Sequence, residues 1–561
     1  MYDNELRYFF SSATVKARSD KYVLTMTYDG KGHHVQQLDS TYFDDEKAAE
    51  QEAFKDVNTG LIGIDANWQR TEEAGRAFKS SPIAKLFLLG AIKYATRDAW
   101  GMGVEYEGGR PGWNDAMNGL PGMVGSGMPE TYEMYLLLKY VKDVVDKYGR
   151  AVVIPAELNK MVKVVNKALY KLENSGWEEP DDLPFAVPEQ LFEYWDIVAS
   201  ARENYRNDVQ YYFSGNTTAL EAEDVSDMIG RWLDQIEAGM ARAMKFGSHG
   251  FGDDGTSGIP PSYFSYEVTK WTKNKGKNDV GLPLVNARAM KVGRFPIFLE
   301  GPVRQMKTII DDKENLKSLY QKVLNSGLRD DKLKMYLLSA DLKGQSYDMG
   351  RMMAFAPGWL ENQSIWMHMS YKYYLELIRG ELFEELFFEM KGGGMLPYMD
   401  PDVYGRSLME CSSFLASSKF PDPETQGRGF SARLSGSTAE FLSIWKLMFI
   451  GPKPFFIDDN GDLKMQLVPA LPEFFFRDDE SGSDPTFDED GNYVVSFKLF
   501  ASITVTYHNP TGSNLFRVKP SKYTITMEDG KTEKIEGPEI PTKLAKKIRK
   551  IYGVSSIDVY F

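Results

Sequence analysis

The stretch GGRPGWNDAMNGLPGM, residues 108–123, continues through GSGM at 125–128 and ends in PETYE at 129–133. Between residues 108 and 129 it holds seven glycines and three prolines. Such a composition bends the backbone repeatedly and lets it approach another group closely, which an ordinary connection does not require. Pro129 marks a helix start, because proline is favoured in a first helical turn. The stretch therefore predicts a long functional loop that leads into a helix.

One carboxylate, Asp115, lies in this loop next to Asn114 and close to Trp113. A carboxyl group in apolar surroundings keeps its proton near neutral pH, and a neighbouring amide can orient it. Asp115 is therefore a candidate general acid for a sugar leaving group. The alternative is an aspartate that only accepts hydrogen bonds from backbone amides of the loop.

The composition indicates a large globular protein with an acidic surface. The chain has 561 residues, of which 42% are hydrophobic, and a net charge of −14. Without a concentrated basic patch, that charge argues against nucleic acid as a partner. The single cysteine excludes an internal disulfide, and the five histidines do not have metal-site spacing, so we predict no metal. No signal peptide or apolar run of 18 residues is found, which predicts a cytoplasmic protein with no membrane partner.

The periodicity of apolar residues changes along the chain. Residues 1–60 predict a lead-in with short β-like runs, and residues 61–452 predict successive helices. Beyond residue 453 the period changes to two, which predicts a β-sandwich over 453–561 with a short basic helix at 542–549. The predicted helices begin at residue 82 and continue at 129–147, 155–173, 188–205, 219–246, 312–325, 331–339, 371–379, 382–390 and up to 449.

Three segments, in order, resemble the cellobiose phosphorylase group, glycoside hydrolase family 94 and its long β-glucan relatives. They are Trp113-Asn114-Asp115, Glu361-Asn362 followed by His368, and Ser435-Gly436 in the turn RLSGST. The resemblance implies that Asp115 is the general acid. It also implies a phosphate site at His368, Ser435 and Gly436, with Arg433 or Arg428 adding charge, and sugar contacts from Trp113, Asn114, Arg110, Glu361 and Asn362.

The phosphate site has a physical reason of its own. A glycine-rich turn that leads into a helix offers free N–H groups and the positive end of the helix dipole to an anion. Simpler roles stay open, because His368 alone is typical of a packed core histidine and the Ser435 turn is typical of an N-cap. Serine in place of the family's threonine keeps the hydroxyl group and loses the methyl group.

The resemblance implies an (α/α)6 barrel over 61–452 followed by the C-terminal β-sandwich, so the fold is mainly α with a β domain. Only 112 residues precede Trp113, and about nine or ten helices are predicted where a closed barrel has twelve. We therefore expect the C-terminal part of a larger enzyme, or one chain of a split pair. Its partner would be a second copy or a chain that supplies the N-terminal half.

The function that the resemblance implies is inverting phosphorolysis of a β-linked gluco-oligosaccharide, with inorganic phosphate as co-substrate and no other cofactor. Asp115 would protonate the glycosidic oxygen while phosphate attacks the anomeric carbon, giving α-glucose 1-phosphate. Two alternatives stay open. One is an inverting hydrolase with Glu361, Glu410 or Glu440 as the base. The other is a non-catalytic carbohydrate-binding or partner subunit.

Overall fold

The structure is a computed structural model, and it describes most of the chain. The described residues are 1–53, 68–71, 76–248, 258–395, 399–407, 410, 412–431, 435–477 and 485–561. Helix accounts for 38% of the structure and strand for 25%.

Thirteen α-helices are present in the described parts of the chain. They are α1 (Asp45–Glu52), α2 (Pro82–Tyr94), α3 (Met128–Tyr148), α4 (Ala156–Glu173), α5 (Glu189–Asp208), α6 (Ala222–Ser248), α7 (Glu300–Thr308), α8 (Lys313–Leu324), α9 (Met367–Arg379), α10 (Phe383–Glu389), α11 (Pro401–Tyr404), α12 (Ser435–Phe449) and α13 (Thr542–Arg549).

Helix α2 shows how local sequence fixes these elements. Ser81 caps it by accepting a hydrogen bond from the amide of Ala84 at 3.3 Å, and Pro82 occupies its first turn. Ile83, Phe87 and Ala91 recur every four residues and are buried, so one face of the helix packs against the core. The other predicted helices start within three or four residues of their predicted positions, except for one at 331–339.

The helices α3, α7, α9 and α12 pack in succession, each against the next. Helix α3 also packs against α2 and α6, and α4 packs against α5. Between residues 61 and 452 there are eleven described helices, α2 to α12. This exceeds the nine or ten predicted because the short helices α7 and α11 have too few turns to show an apolar period.

A six-stranded sheet carries the central loop. Its strand order is His33–Gln37, Tyr22–Met26, Pro283–Arg294, Tyr263–Lys277, Ser126–Gly127 and Val104–Glu105. The last two strands pair with each other through Val104 with Gly127 and Glu105 with Ser126. The loop 108–123 therefore leaves the sheet at one strand and returns at its neighbour. Part of the predicted lead-in, the hairpin 22–37, belongs to the same sheet.

The strand Tyr263–Lys277 is an edge strand along most of its length. Ser126 and Gly127 pair only with Phe264 and Tyr263, at its beginning. Among the described residues no strand pairs with the rest of that edge, and this part carries the exposed side chains of Lys270, Lys273, Lys275 and Lys277. Charged side chains, lysine above all, prevent an open edge from pairing with other chains.

The C-terminal region contains a five-stranded sheet and α13. The sheet order is Tyr493–Leu499, Ile503–Asn509, Val554–Tyr560, Lys522–Met527 and Thr532–Glu536. The predicted strands and the basic helix 542–549 are confirmed. One cluster of buried apolar side chains continues from α8, α9 and α10 into these strands, so the helical and C-terminal regions share a core.

One fold prediction is wrong, and another is confirmed only in part. The helix predicted at 331–339 is instead a pair of short strands, Arg329–Asp330 and Met335–Tyr336, because Met335 to Leu338 are all buried and tertiary packing decides their conformation. The prediction of a mainly helical protein with strands after residue 453 is confirmed only as a mixture of helices and strands. The six-stranded sheet lies before that residue.

A buried charge network anchors the strand that precedes the central loop. Trp195 of α5 donates a hydrogen bond to Glu105 at 2.6 Å, and Arg202 lies 3.9 Å from the same carboxylate. Arg202 and Lys21 both bind Glu203, and the three side chains are at most 5% exposed. Burial alone would raise the pKa of Glu203, but Arg202 and Lys21 lower it to about 2. Burial lowers the pKa of Lys21 to about 8.

Glu203→Gln should lower the free energy of unfolding by about 3–5 kcal/mol, because it leaves two buried cations without their carboxylate. Urea unfolding followed by circular dichroism measures this change. Glu193→Gln is the matched control on the same helix, since Glu193 and its partner Lys171 are 53% and 67% exposed, and it should cost less than about 1 kcal/mol. Equal effects of the two substitutions would contradict the structural role of the network.

Candidate functional site

A cavity of about 610 Å³ lies where the central loop meets α7 and α9. This volume is typical of small-molecule sites. Five of the residues predicted from the sequence line it: Trp113, Asn114, Asp115, Glu361 and His368. Five further residues that the sequence did not indicate also line it: Arg304, Leu338, Arg351, Trp366 and Lys372.

Two helices present side chains to the cavity. His368 and Lys372 occupy successive turns on one face of α9, and Arg304 extends from α7. Helix α9 is almost entirely buried, with eleven of its thirteen residues in the core. The cavity wall is therefore rigid, because its polar groups stand on packed helices.

The central loop and the loop 348–351 approach each other backbone to backbone. The amide of Gly119 donates to the carbonyl of Met349 at 3.1 Å, and the amide of Arg351 donates to Oδ1 of Asn118 at 2.9 Å. A Cβ atom on Gly350 would lie 2.5 Å from that Oδ1, and one on Gly119 would lie 1.8 Å from the carbonyl oxygen of Asp348. Glycine is needed at both places, and the contact brings Arg351 to Asp115.

The surroundings of Asp115 differ from those predicted. Its side chain is 66% exposed, and Nη2 of Arg351 lies 2.9 Å from its carboxylate. The prediction that Trp113 gives Asp115 apolar surroundings is therefore wrong. The indole packs against the His368 ring instead, with 5.0 Å between ring centroids, because the loop turns the two neighbouring side chains in different directions.

Glu361 is the buried carboxylate of the cavity. It is 8% exposed, and its carboxylate lies 3.8 Å from the same Nη2 atom of Arg351 that contacts Asp115. Burial raises the pKa of Glu361, Arg351 opposes this, and the nearby Asp115 adds to the rise. One guanidinium thus holds two carboxylates at the same point of the cavity.

His368 is neutral near pH 7. Burial, followed by the charges of Lys372 and Arg304, lowers its pKa to about 4. Its ring lies between Trp113 and Trp366, with centroid distances of 5.0 and 5.4 Å. Within the described residues its buried Nδ1 atom has no hydrogen-bond partner.

The positive charge at this end of the cavity comes from Arg304 and Lys372. Arg304 donates to Glu133 at 2.8 Å and lies 3.7 Å from Glu300. Lys372 forms an ion pair with Glu440 of α12. In the described part of the chain, the buried Nε of Arg304 and Oε2 of Glu440 have no partner.

The other predicted site residues lie elsewhere or outside the described residues. Arg110 is exposed and does not line the cavity. Asn362 is buried and donates to the carbonyl of Phe355 at 2.8 Å, which is a structural role. Arg428 binds the carbonyls of Glu424 and Asp402, and Glu410 pairs with Arg406, so neither reaches the cavity.

The predicted turn before α12 is described only in part. Arg433 lies outside the described residues, and Ser435 and Gly436 begin α12, although their side chains lie outside the described part. Glu440 follows Ser435 by five residues, which is about 7.5 Å along a helix. Because Glu440 binds Lys372, the backbone at the start of α12 lies one to two helical turns from a cavity contact.

Sequence reasoning missed the three cations Arg304, Arg351 and Lys372, which stand singly in their segments. Only the four-residue spacing from His368 to Lys372 could have indicated one of them. Over the described residues, no group of three or more His, Cys, Asp or Glu side chains has an arrangement that could hold a metal ion. No described helix is long and apolar enough to cross a membrane.

No protein-family model matches this chain, and no curated protein matches it. The site has therefore to be interpreted from its own geometry and from the motifs in the sequence.

Gly350→Ala should lower the free energy of unfolding by about 1–3 kcal/mol more than Gly344→Ala, because the added methyl group presses on Asn118. Both glycines have positive φ, at 125° and 84°, but a Cβ on Gly344 has nothing within 4 Å. Gly350, with φ 125° and ψ −167°, also lies in a region that only glycine adopts readily, so backbone strain adds to the effect of the methyl group. Urea titration of both variants tests it, and equal losses would contradict the role of the loop contact.

Proposed function

We propose that the protein is an inverting phosphorylase that cleaves a β-linked gluco-oligosaccharide with inorganic phosphate. One observation carries this proposal. Trp113, Asn114 and Asp115 share one cavity with Glu361 and His368, although some 250 residues separate the two segments. These are the residues for which the resemblance to family 94 implies catalysis, sugar binding and phosphate binding. The three cations that line the same cavity suit an anionic substrate.

In the proposed reaction Asp115 is the general acid. Its proton passes to the glycosidic oxygen as the bond from that oxygen to the anomeric carbon breaks, and a phosphate oxygen forms the new bond from the opposite face. The product is a sugar 1-phosphate with inverted configuration. The exposed position of Asp115 at the cavity wall leaves its carboxyl group accessible to a substrate. The contact with Arg351 has to open before that proton can be donated.

Phosphate is assigned to the end of the cavity formed by α7 and α9. Arg304 and Lys372 supply positive charge, and the neutral His368 can donate one N–H to an oxygen. The start of α12 lies one to two turns away and adds the positive end of a helix dipole. Each of the two cations already has a carboxylate partner, so phosphate would share these cations with protein carboxylates.

The sugar is assigned to the side of the cavity that carries the two indoles. Trp113 and Trp366 both line the cavity and offer flat apolar faces against which a pyranose ring can stack. Glu361, buried beside them, can accept hydrogen bonds from sugar hydroxyl groups. Phosphate at one end of the cavity and a sugar ring on the aromatic faces at the other end are the two substrates of phosphorolysis.

The finer architecture belongs to the same proposal. The succession α3, α7, α9 and α12 would form part of the inner layer of an (α/α)6 barrel over residues 61–452. The five-stranded sheet would be one layer of a β-sandwich over 453–561. The cavity would then lie at the inner helices, which is where such a barrel carries its site.

An inverting hydrolase is the second candidate, and the raised pKa of the buried Glu361 favours it. An inverting hydrolase keeps its two carboxyl groups roughly 6.5–9.5 Å apart, to admit a water molecule. Here both carboxylates contact one Arg351 nitrogen, at 2.9 and 3.8 Å. Arg351 therefore bridges the two carboxylates. Phosphorolysis has no need of that second carboxylate.

Asp115→Asn should lower the rate of sugar phosphate formation by two or more orders of magnitude, because an amide keeps the shape but cannot donate the proton. The assay supplies phosphate and β-linked gluco-oligosaccharides and measures sugar phosphate and free sugar separately. Asp348→Asn replaces a half-buried aspartate in the neighbouring loop that accepts a hydrogen bond from Ser346; it is the control and should keep most activity. Near-normal turnover by the first variant would exclude Asp115 as the acid, and free sugar from the wild type without phosphate would indicate a hydrolase.

His368→Asn should raise the KM for phosphate about tenfold or more, since a hydrogen bond to a charged group contributes about 1.5–3 kcal/mol. The KM for the oligosaccharide should change much less, because we assign His368 to the anion. Initial rates with each substrate varied in turn give both constants. A parallel rise of both would show that His368 serves mainly to pack Trp113 and Trp366.

A further inference from the structure

One helical turn before Arg304, α7 carries a carboxyl group that does not line the cavity and has no part in the proposed chemistry. Glu300 is 4% exposed and accepts a hydrogen bond from the hydroxyl of Tyr263 at 2.8 Å. Its other oxygen lies 3.7 Å from Nη2 of Arg304, the guanidinium that lines the cavity. Glu300 therefore lies next to Arg304, a cation that we propose binds the anion.

A second carboxyl group, that of the half-buried Glu130 on α3, acts electrostatically on the first. Glu130 accepts hydrogen bonds from the hydroxyl of Tyr106, at 3.1 Å to each oxygen. Two carboxylates whose charges act on each other cannot both ionise easily, and their titration belongs to the pair. Burial, followed by the charge of Glu130, raises the pKa of Glu300 to about 7, while Arg304, Tyr263 and Lys372 oppose the rise. Burial also raises the pKa of Glu130.

The groups that face Glu300 come from four elements. They are Arg304 on α7, Glu130 on α3, Lys372 on α9, and Tyr263 at the start of its strand, with Tyr106 next to Glu130. An anion placed against Arg304 and Lys372 would compensate these two cations and leave the carboxylate pair without its counter-charge. A proton on the pair would restore the balance, since like charges nearby favour the neutral form.

We propose that Glu300 is a positioning residue of the anion site, and that a tetrahedral oxyanion binds in the cavity together with one proton taken up by the Glu300–Glu130 pair. The inference rests on the proposed function only for the assignment of an anion to Arg304 and Lys372. It makes the affinity for the anion depend on pH through a group that the anion does not touch. When Glu300 is ionised it competes for Arg304, and when it is protonated it releases Arg304 to the ligand.

The test measures binding and not turnover. Sulfate is the probe, because its charge does not change between pH 6.5 and 8.5, whereas phosphate titrates in that range. Calorimetry, or the fluorescence of Trp113 and Trp366, gives the Kd of the full chain for sulfate. We expect the wild-type affinity to fall about tenfold over those two pH units, as linkage to a group titrating near pH 7 requires.

Glu300→Gln should bind sulfate with an affinity that is nearly constant over the same range, because the amide cannot ionise. Glu133→Gln is the matched control. Glu133 contacts Arg304 at 2.8 Å but is 41% exposed, and although burial would raise its pKa, Lys307 and Arg304 lower it. It should change affinity equally at every pH, so the wild-type pH dependence should persist.

If Glu300→Gln fails to fold, proton uptake can still be measured by calorimetry of sulfate binding to the wild type in two buffers of different ionisation enthalpy. Near pH 7 we expect uptake of about half a proton per sulfate bound. Binding without proton uptake, or the same pH dependence in wild type and Glu300→Gln, would overturn this inference and leave the phosphorylase proposal intact. Absence of sulfate and phosphate binding at either pH would overturn the anion site itself, and with it both proposals.

Discussion

The site depends on how the central loop is closed at its base. The strands Val104–Glu105 and Ser126–Gly127 pair with each other, so the twenty residues between them form a closed excursion from one sheet. The side chains of Trp195 and Arg202 hold Glu105, and Ser126 pairs with Phe264 of the next strand. A glycine-rich loop loses much conformational entropy on ordering. Because the sheet holds both ends of the loop, the loop loses less conformational entropy when it becomes ordered.

The cavity is organised by charge compensation. Arg351 holds Asp115 and Glu361, Arg304 holds Glu133 and Glu300, and Lys372 holds Glu440. A site in which cations are already neutralised does not attract an anion by net charge alone. Under the proposed function the ligand is a tetrahedral oxyanion, which has enough oxygens to replace several carboxylate contacts at once. The net charge of the whole chain, −14, likewise does not attract anions at longer range.

The sequence was sufficient for most of the helices and for about half of the cavity. Capped helices with an apolar face were located to within a few residues, and the motif residues Trp113 to Asp115, Glu361 and His368 proved to share one cavity. The hairpin 263–294 was not predicted, because its lysines and its register shifts between Val268 and Trp271 interrupt the alternation. Arg304, Arg351 and Lys372 were missed because a single cation on a helix or loop looks like a solvated surface residue until the fold brings it inward.

The lysines on the open edge of the strand Tyr263–Lys277 have a consequence for anyone preparing this protein. Replacing surface lysines with alanine is a common way to improve crystal packing, since it removes flexible side chains. Here Lys270, Lys273, Lys275 and Lys277 keep unpaired backbone groups from adding a strand of a neighbouring molecule. Their removal would favour open-ended strand addition, and samples altered in this way would form fibrous aggregates more readily than ordered lattices.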